Sequence, residues 1–114
     1  MCDQNVKRNH AIFPKFFGKE AATTKAVALA ALRTGAPVVF GSPVTNDEGN
    51  FDVFFNELPH PSSYGGDNNS KIFQFTETMH RSFEEHIKRR PEAWFWLHRR
   101  WKTRPEGEAE DLYN

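Results

Sequence analysis

Residues 91–107 read PEAWFWLHRRWKTRPEG. Trp94, Phe95, Trp96 and Trp101 are interleaved there with His98, Arg99, Arg100, Lys102 and Arg104, so a large apolar area and a dense positive charge share one short segment. Rings of this size gain free energy only on leaving water, at roughly 25 cal/mol per Å² buried. Guanidinium groups must stay hydrated or meet an anion. The segment therefore belongs where a core meets an anionic surface, or where its guanidinium groups are paired inside the protein. Pro91 suits the first turn of a short helix, where its missing N–H is not needed.

Working outward, Ile72, Phe75, Met79, Phe83 and Ile87 recur at spacings of three and four, which predicts one helix with its apolar stripe against a sheet. Ser70 reads as its N-cap, and Lys88, Arg89 and Arg90 complement the negative end of its dipole. Residues 59–69 carry two prolines and two glycines and read as a surface loop. Before it, Pro37–Thr45 and Phe51–Leu58 are short apolar runs separated by Asn-Asp-Glu-Gly-Asn, predicting an antiparallel hairpin at one side of the sheet. The Ala-rich run Lys19–Thr34 has high helix propensity, with Gly35 placed to stop it. Residues 1–18 read as a strand end closed by Asp3 and then a loop. Helix, hairpin and helix around a sheet edge predict an α/β layer architecture.

At 114 residues the chain is one domain at most. Fifteen basic and fifteen acidic residues cancel, so the distribution of charge carries the information. From His86 to Arg104 seven Lys or Arg face Glu92 alone, whereas Glu106, Glu108, Glu110 and Asp111 make 105–114 an acidic tail after a body of 1–104. A single cysteine, Cys2, excludes an internal disulfide. No stretch reaches the ~20 apolar residues of a membrane span, and no secretory leader opens the sequence, so the expectation is a cytosolic chain unless it adheres to a membrane surface. His10 and His60 lack partners at metal-ligand spacing, and no metal is expected.

The run 91–107 resembles the C-terminal signature of the bacterial lipid A biosynthesis acyltransferases, the lauroyl/myristoyl transferase family. Three further blocks agree in the same order: Asp3-Gln4-Asn5, then Phe16-Phe17-Gly18 with Ala21-Ala22-Thr23-Thr24, then Arg33-Thr34-Gly35-Ala36-Pro37-Val38-Val39. Past Pro37 this chain departs from the family, with Phe40-Gly41-Ser42-Pro43 where a further proline and a basic residue are often found. The resemblance implies the C-terminal part of an αβα acyltransferase layer fold. It implies transfer of a fatty acyl chain from acyl carrier protein, as its thioester and with no other cofactor, to a hydroxyl of a lipid A precursor. The implied place is the cytoplasmic face of the bacterial inner membrane, peripherally held. The implied partners are acyl carrier protein, a glycolipid acceptor and an anionic membrane surface, with no nucleic acid expected.

Such a transfer needs a base for the hydroxyl proton and a group to orient it. The family supplies a His followed, after four residues, by Asp or Glu. His80 and Glu85 match formally, but two residues five apart on a helix point about 140° away from each other, and the pair falls among the later blocks. The resemblance places the dyad ahead of Asp3, so the expectation is the C-terminal part of a longer enzyme, with its activity incomplete here. By the same resemblance Asp3 lies beside the active-site pocket in a supporting role, with Gln4 and Asn5 able to hydrogen-bond nearby. Thr23 and Thr24 either offer a phosphate the free N–H groups of a helix N-terminus or cap that helix. His98, Arg99, Arg100, Lys102 and Arg104 either bind phosphate of a headgroup, acceptor or carrier, or pair internally. Two other readings stay open: a noncatalytic basic and aromatic module binding anionic lipid or nucleic acid, and an inactive remnant with an exposed sheet edge.

Overall fold

The computed structural model describes residues 2–109, 112 and 113, so Glu110 and Asp111 of the acidic tail lie outside the described residues. After a 3-10 turn at Arg8–His10 come β1 (Ala11–Ile12), β2 (Lys15–Phe16), β3 (Lys19–Glu20) and β4 (Thr23–Thr24). Then follow α1 (Ala26–Thr34), β5 (Val38–Thr45), β6 (Phe51–Leu58) and α2 (Asn68–Arg89), with further 3-10 turns at Pro61–Ser63, Pro91–Ala93 and Trp96–His98. The predicted α/β class and the helix, hairpin, helix order are both present. Three two-stranded antiparallel sheets replace one larger sheet: β1 with β4, β2 with β3, and β5 with β6.

Three expectations are corrected. Cys2 and Asp3 form a turn, not the end of a strand, because no strand among the described residues pairs with them. The expected helix from Lys19 begins only at Ala26. Pairing of β3 with β2 and of β4 with β1, and complete burial of Ala21 and Ala22, outweigh an intrinsic helix preference worth under ~1 kcal/mol per residue. Finally, α2 is capped by Asp67, whose carboxylate accepts the Ser70 N–H at 2.8 Å. Ser70 is thus the capped donor, three positions inside, and not the cap. Gly35 does end α1: at φ 70° its N–H donates to the Ala31 carbonyl at 2.8 Å.

The stripe on α2 builds the core. Ile72, Phe75 and Met79 pack with Ala28 and Leu58, while Ile87 joins Phe16 and Ala21 in a second cluster flanked by Trp94 and Trp101. Phe83 touches both clusters, and its ring meets Phe40 edge-on with centroids 5.0 Å apart. Alternation along the hairpin turns Phe40 and Ser42 toward α2 and leaves Phe51, Val53 and Phe55 exposed on the outer face. No helix among the described residues is long and apolar enough to cross a membrane.

Candidate functional site

The segment after α2 is held against the fold by its rings and by two buried cations. Pro91 opens a 3-10 turn as expected. Trp94 then tucks beside Phe16 and Phe83, and Trp101 packs on Phe16 while its indole N–H donates to the Phe16 carbonyl at 3.2 Å. Between them Arg99 takes a left-handed conformation, φ 50°, that turns the chain so that Arg100 enters the core. Arg100 is only 3% exposed. It donates to the Ala22 carbonyl and to Thr23 Oγ1, each at 2.7 Å, and lies 5.5 Å from the Phe16 ring centre. Burial lowers its pKa to about 10, opposed by the nearby Asp3 carboxylate. Arg104, also buried, donates to the Glu20 carbonyl at 2.6 Å and pairs with Glu108 at 2.6 Å. Of the two readings of the basic cluster, internal pairing describes Arg100 and Arg104.

His80 sits at the centre of this lock. Its Nδ1–H donates to the Lys15 carbonyl at 2.9 Å, so Nε2 presents a lone pair to Arg100 at 3.2 Å. Thr23 Oγ1 lies 3.1 Å from the same nitrogen and donates its own proton to the Ala21 carbonyl. Burial, reinforced by the Arg100 charge, lowers the His80 pKa from 6.5 to about 4. The ring is therefore a neutral core group, while Glu85 is exposed, in agreement with setting that pair aside as a dyad. Thr23 faces the interior, and Thr24 Oγ1 accepts the Ala26 N–H at 3.2 Å from one position before the α1 N-cap, Lys25, which makes no side-chain capping bond.

The structure brings three of the singled-out residues together. Asp3, Gln4 and His98 line an open hollow of about 340 Å³, with Ala93, Trp94 and Phe95 as its apolar walls. The Asp3-Gln4-Asn5 block is clasped to the far end of the chain: Asn5 Nδ2 donates to Thr103 Oγ1 at 2.9 Å, and the Thr103 N–H returns to Asn5 Oδ1 at 3.0 Å. The Asn5 N–H donates to His98 Nε2 at 3.3 Å, which leaves the His98 proton on Nδ1. A carboxylate, a carboxamide and an imidazole above aromatic walls can hydrogen-bond a hydroxyl while apolar rings cover hydrocarbon or sugar. Arg99 and Lys102 remain exposed beyond the hollow. No cluster of three metal-ligating side chains occurs among the described residues.

Two arrangements went unread in the sequence. Trp94 and Phe95 were legible as apolar bulk but not as walls of the Asp3 hollow, because only the fold joins positions so far apart. Ser42 Oγ contacts His86 Nδ1 between the hairpin and α2, across 44 residues with no local pattern to signal it. The His86 pKa is lowered by burial and by Arg89.

The family model described as bacterial lipid A biosynthesis acyltransferase matches residues 1–103. The lipid A biosynthesis palmitoleoyltransferase of Escherichia coli (strain K12) is 33% identical over 109 residues, 94% of this chain and 34% of that protein. A lipid A biosynthesis acyltransferase of Shigella flexneri shows the same identity and coverage. The chain thus spans about a third of the length of these curated relatives.

Proposed function

The chain belongs to the bacterial lipid A biosynthesis acyltransferase family, and from that membership we propose that it supplies one wall of the site of a longer enzyme. That enzyme transfers a fatty acyl chain from acyl carrier protein to a hydroxyl of a lipid A precursor at the cytoplasmic face of the inner membrane. The observation that carries this reading is the convergence of Asp3 and Gln4 with His98, which lies 95 and 94 positions away from them respectively, on one hollow.

In this reading the acceptor hydroxyl oxygen attacks the thioester carbonyl, the carbonyl–sulfur bond breaks, and the carrier leaves as a thiol. Asp3 and Gln4 orient the acceptor, His98 donates a hydrogen bond from Nδ1, and Trp94 and Phe95 exclude water from the reacting groups. Arg99 and Lys102 meet phosphate of the acceptor, headgroup or carrier. Thr23, Thr24, Arg100 and Arg104 act behind the surface by holding the 91–107 segment and the start of α1 in place. The His and acid that handle the proton come from sequence outside this chain.

The test is to read the DNA upstream of the Met1 codon in frame, express the resulting product, and assay transfer from an acyl carrier protein thioester to a lipid A precursor. Transfer is expected. An intervening stop codon, or a folded product that leaves the precursor unacylated, overturns the reading.

A further inference from the structure

Between the hairpin and α2 a hydroxyl meets an imidazole outside the hollow described above: Ser42 Oγ hydrogen-bonds His86 Nδ1. A contact of this kind can do no more than pin two elements together, but here open space adjoins it on both sides. From the pair and these two spaces we infer that Ser42 is a nucleophile and His86 its general base, in a second site that cleaves neutral carboxylic esters of short acyl chains.

The backbone aims the pair. Ser42 and Phe40 share the face of β5 turned toward α2. Pro43 restricts the backbone of Ser42 before it to the extended range, which limits where the hydroxyl can point. His86 comes from the last turn of α2, and its ring meets Phe40 edge-on with centroids 6.2 Å apart, so the imidazole is held in place. Burial and the Arg89 charge lower its pKa, leaving the ring neutral at pH 7. In the tautomer with its proton on Nε2, Nδ1 is free to take the Ser42 proton. Ser42 belongs to the run Phe40-Gly41-Ser42-Pro43, in which this chain departs from its family.

On one side of the pair lies a polar cleft of about 20 Å³, enough for a single water, lined by Asn56, Glu85 and Arg89. Phe54, the partner of Ser42 across the ladder, is 51% exposed, so the cleft opens to solvent there. On the other side, Pro43, Val44, Phe51 and Ala93 wall a hollow of about 200 Å³ that His86 also lines. The hollow suits an apolar chain of a few carbons, and the cleft suits the carbonyl oxygen. There the Arg89 guanidinium and the Asn56 amide can donate to the negative charge that develops on that oxygen. Glu85 on the same cleft disfavours an anionic substrate, which selects a neutral ester.

The chemistry balances without a further reactant than water. Ser42 Oγ attacks the ester carbonyl while its proton passes to His86 Nδ1; the bond from the carbonyl carbon to the alcohol oxygen breaks, and His86 hands the proton to the departing alcohol. Water, giving a proton to His86, then attacks the acyl-Ser42 carbonyl; the carboxylic acid leaves and His86 returns the proton to Ser42 Oγ. Neither Ser42 nor His86 lines the Asp3 hollow, and the inference stands without the acyl-transfer reading.

The experiment incubates the 114-residue chain with p-nitrophenyl acetate, butyrate and octanoate, follows release of nitrophenolate, and locates the acyl group by mass spectrometry after an acid quench. Butyrate should be cleaved faster than octanoate, with a butyryl group on Ser42. With far-ultraviolet circular dichroism unchanged, Ser42→Ala should remove the label and lower the rate at least about tenfold, and His86→Gln should slow acylation about 10²-fold. Absence of any acyl group on Ser42 of the wild-type chain, acylation of His86 or a lysine in its place, or a wild-type rate in Ser42→Ala overturns the inference. The label on the wild-type chain decides the matter even where a variant fails to fold.

Discussion

A guanidinium nitrogen of Arg100 lies 3.2 Å from Nε2 of His80 in the buried interior, with the Lys15 carbonyl holding the proton on the opposite ring nitrogen. An imidazolium at this position would face a guanidinium out of reach of water. The fold therefore requires neutral His80 and couples stability to pH. The pKa falls from 6.5 to about 4 on folding, so between these values the unfolded chain binds more protons than the folded one. Stability is full above about pH 6.5, falls as the pH drops through this window, and the drop amounts to on the order of 3 kcal/mol. His86, also lowered, adds in the same direction. Urea unfolding should show a much lower midpoint at pH 4.5 than at pH 7, and His80→Gln should remove most of the difference; equal midpoints in the wild type would exclude a buried neutral His80.

Arg100 holds more than its own place. Arg100→Ala leaves the Ala22 carbonyl, Thr23 Oγ1 and His80 Nε2 without their shared donor and opens a cavity on Phe16. We expect a loss of about 3 kcal/mol or more. Arg100→Lys keeps one donor and the stem and should lose less, so denaturant midpoints should rank wild type, Lys, Ala. The same midpoint in all three would mean that Arg100 lies at the surface.

The two candidate caps of α2 separate cleanly. Asp67→Ala removes the acceptor of the Ser70 N–H and should cost about 1 kcal/mol. Ser70→Ala leaves that bond in place and should cost at most a few tenths of a kcal/mol. The reverse order in thermal or urea unfolding would restore Ser70 as the cap.

The clasp between Asn5 and Thr103 joins the first and last parts of the fold through two hydrogen bonds. Asn5→Ala removes both and should let the 91–107 segment open more often while the core persists. Trypsin cleavage after Arg99 and Lys102 should accelerate severalfold, with little change in far-ultraviolet circular dichroism. Unchanged cleavage would show that the rings alone hold the segment.

Asp3 is the test of the hollow. In the in-frame product, Asp3→Ala should lower turnover by at least about tenfold, less than the ~10²–10⁴-fold expected for loss of a general base. Far-ultraviolet circular dichroism should be unchanged, because Asp3 sits in a half-buried turn outside every helix and strand. Wild-type turnover would remove Asp3 from the site.

Much of this was legible because it is local. The 72–87 stripe, the Asn-Asp-Glu-Gly-Asn turn between β5 and β6, and the stop at Gly35 each follow from residues within a few positions of one another, where periodicity and φ preference decide. Asp3-Gln4 and His98 could be singled out by type and resemblance, but nothing local says that they share a hollow. Residues 19–25 misled for the opposite reason. Their alanines favour helix in isolation, yet Ala21 and Ala22 serve as small, fully buried residues beneath Arg100, and only strand pairing delivers them there.

By itself the sequence determined the family, the α/β class, the long amphipathic helix, the hairpin, and the crowding of rings and cations into 91–107. Only the tertiary structure decided which of those cations look inward. Arg99 and Arg100 are neighbours of identical chemistry, yet a left-handed turn at Arg99 leaves it exposed and sends Arg100 under Phe16 to His80. Side-chain type sets what a guanidinium can bind; its depth, set by packing from distant parts of the chain, sets whether that partner is a buried carbonyl or a phosphate in water.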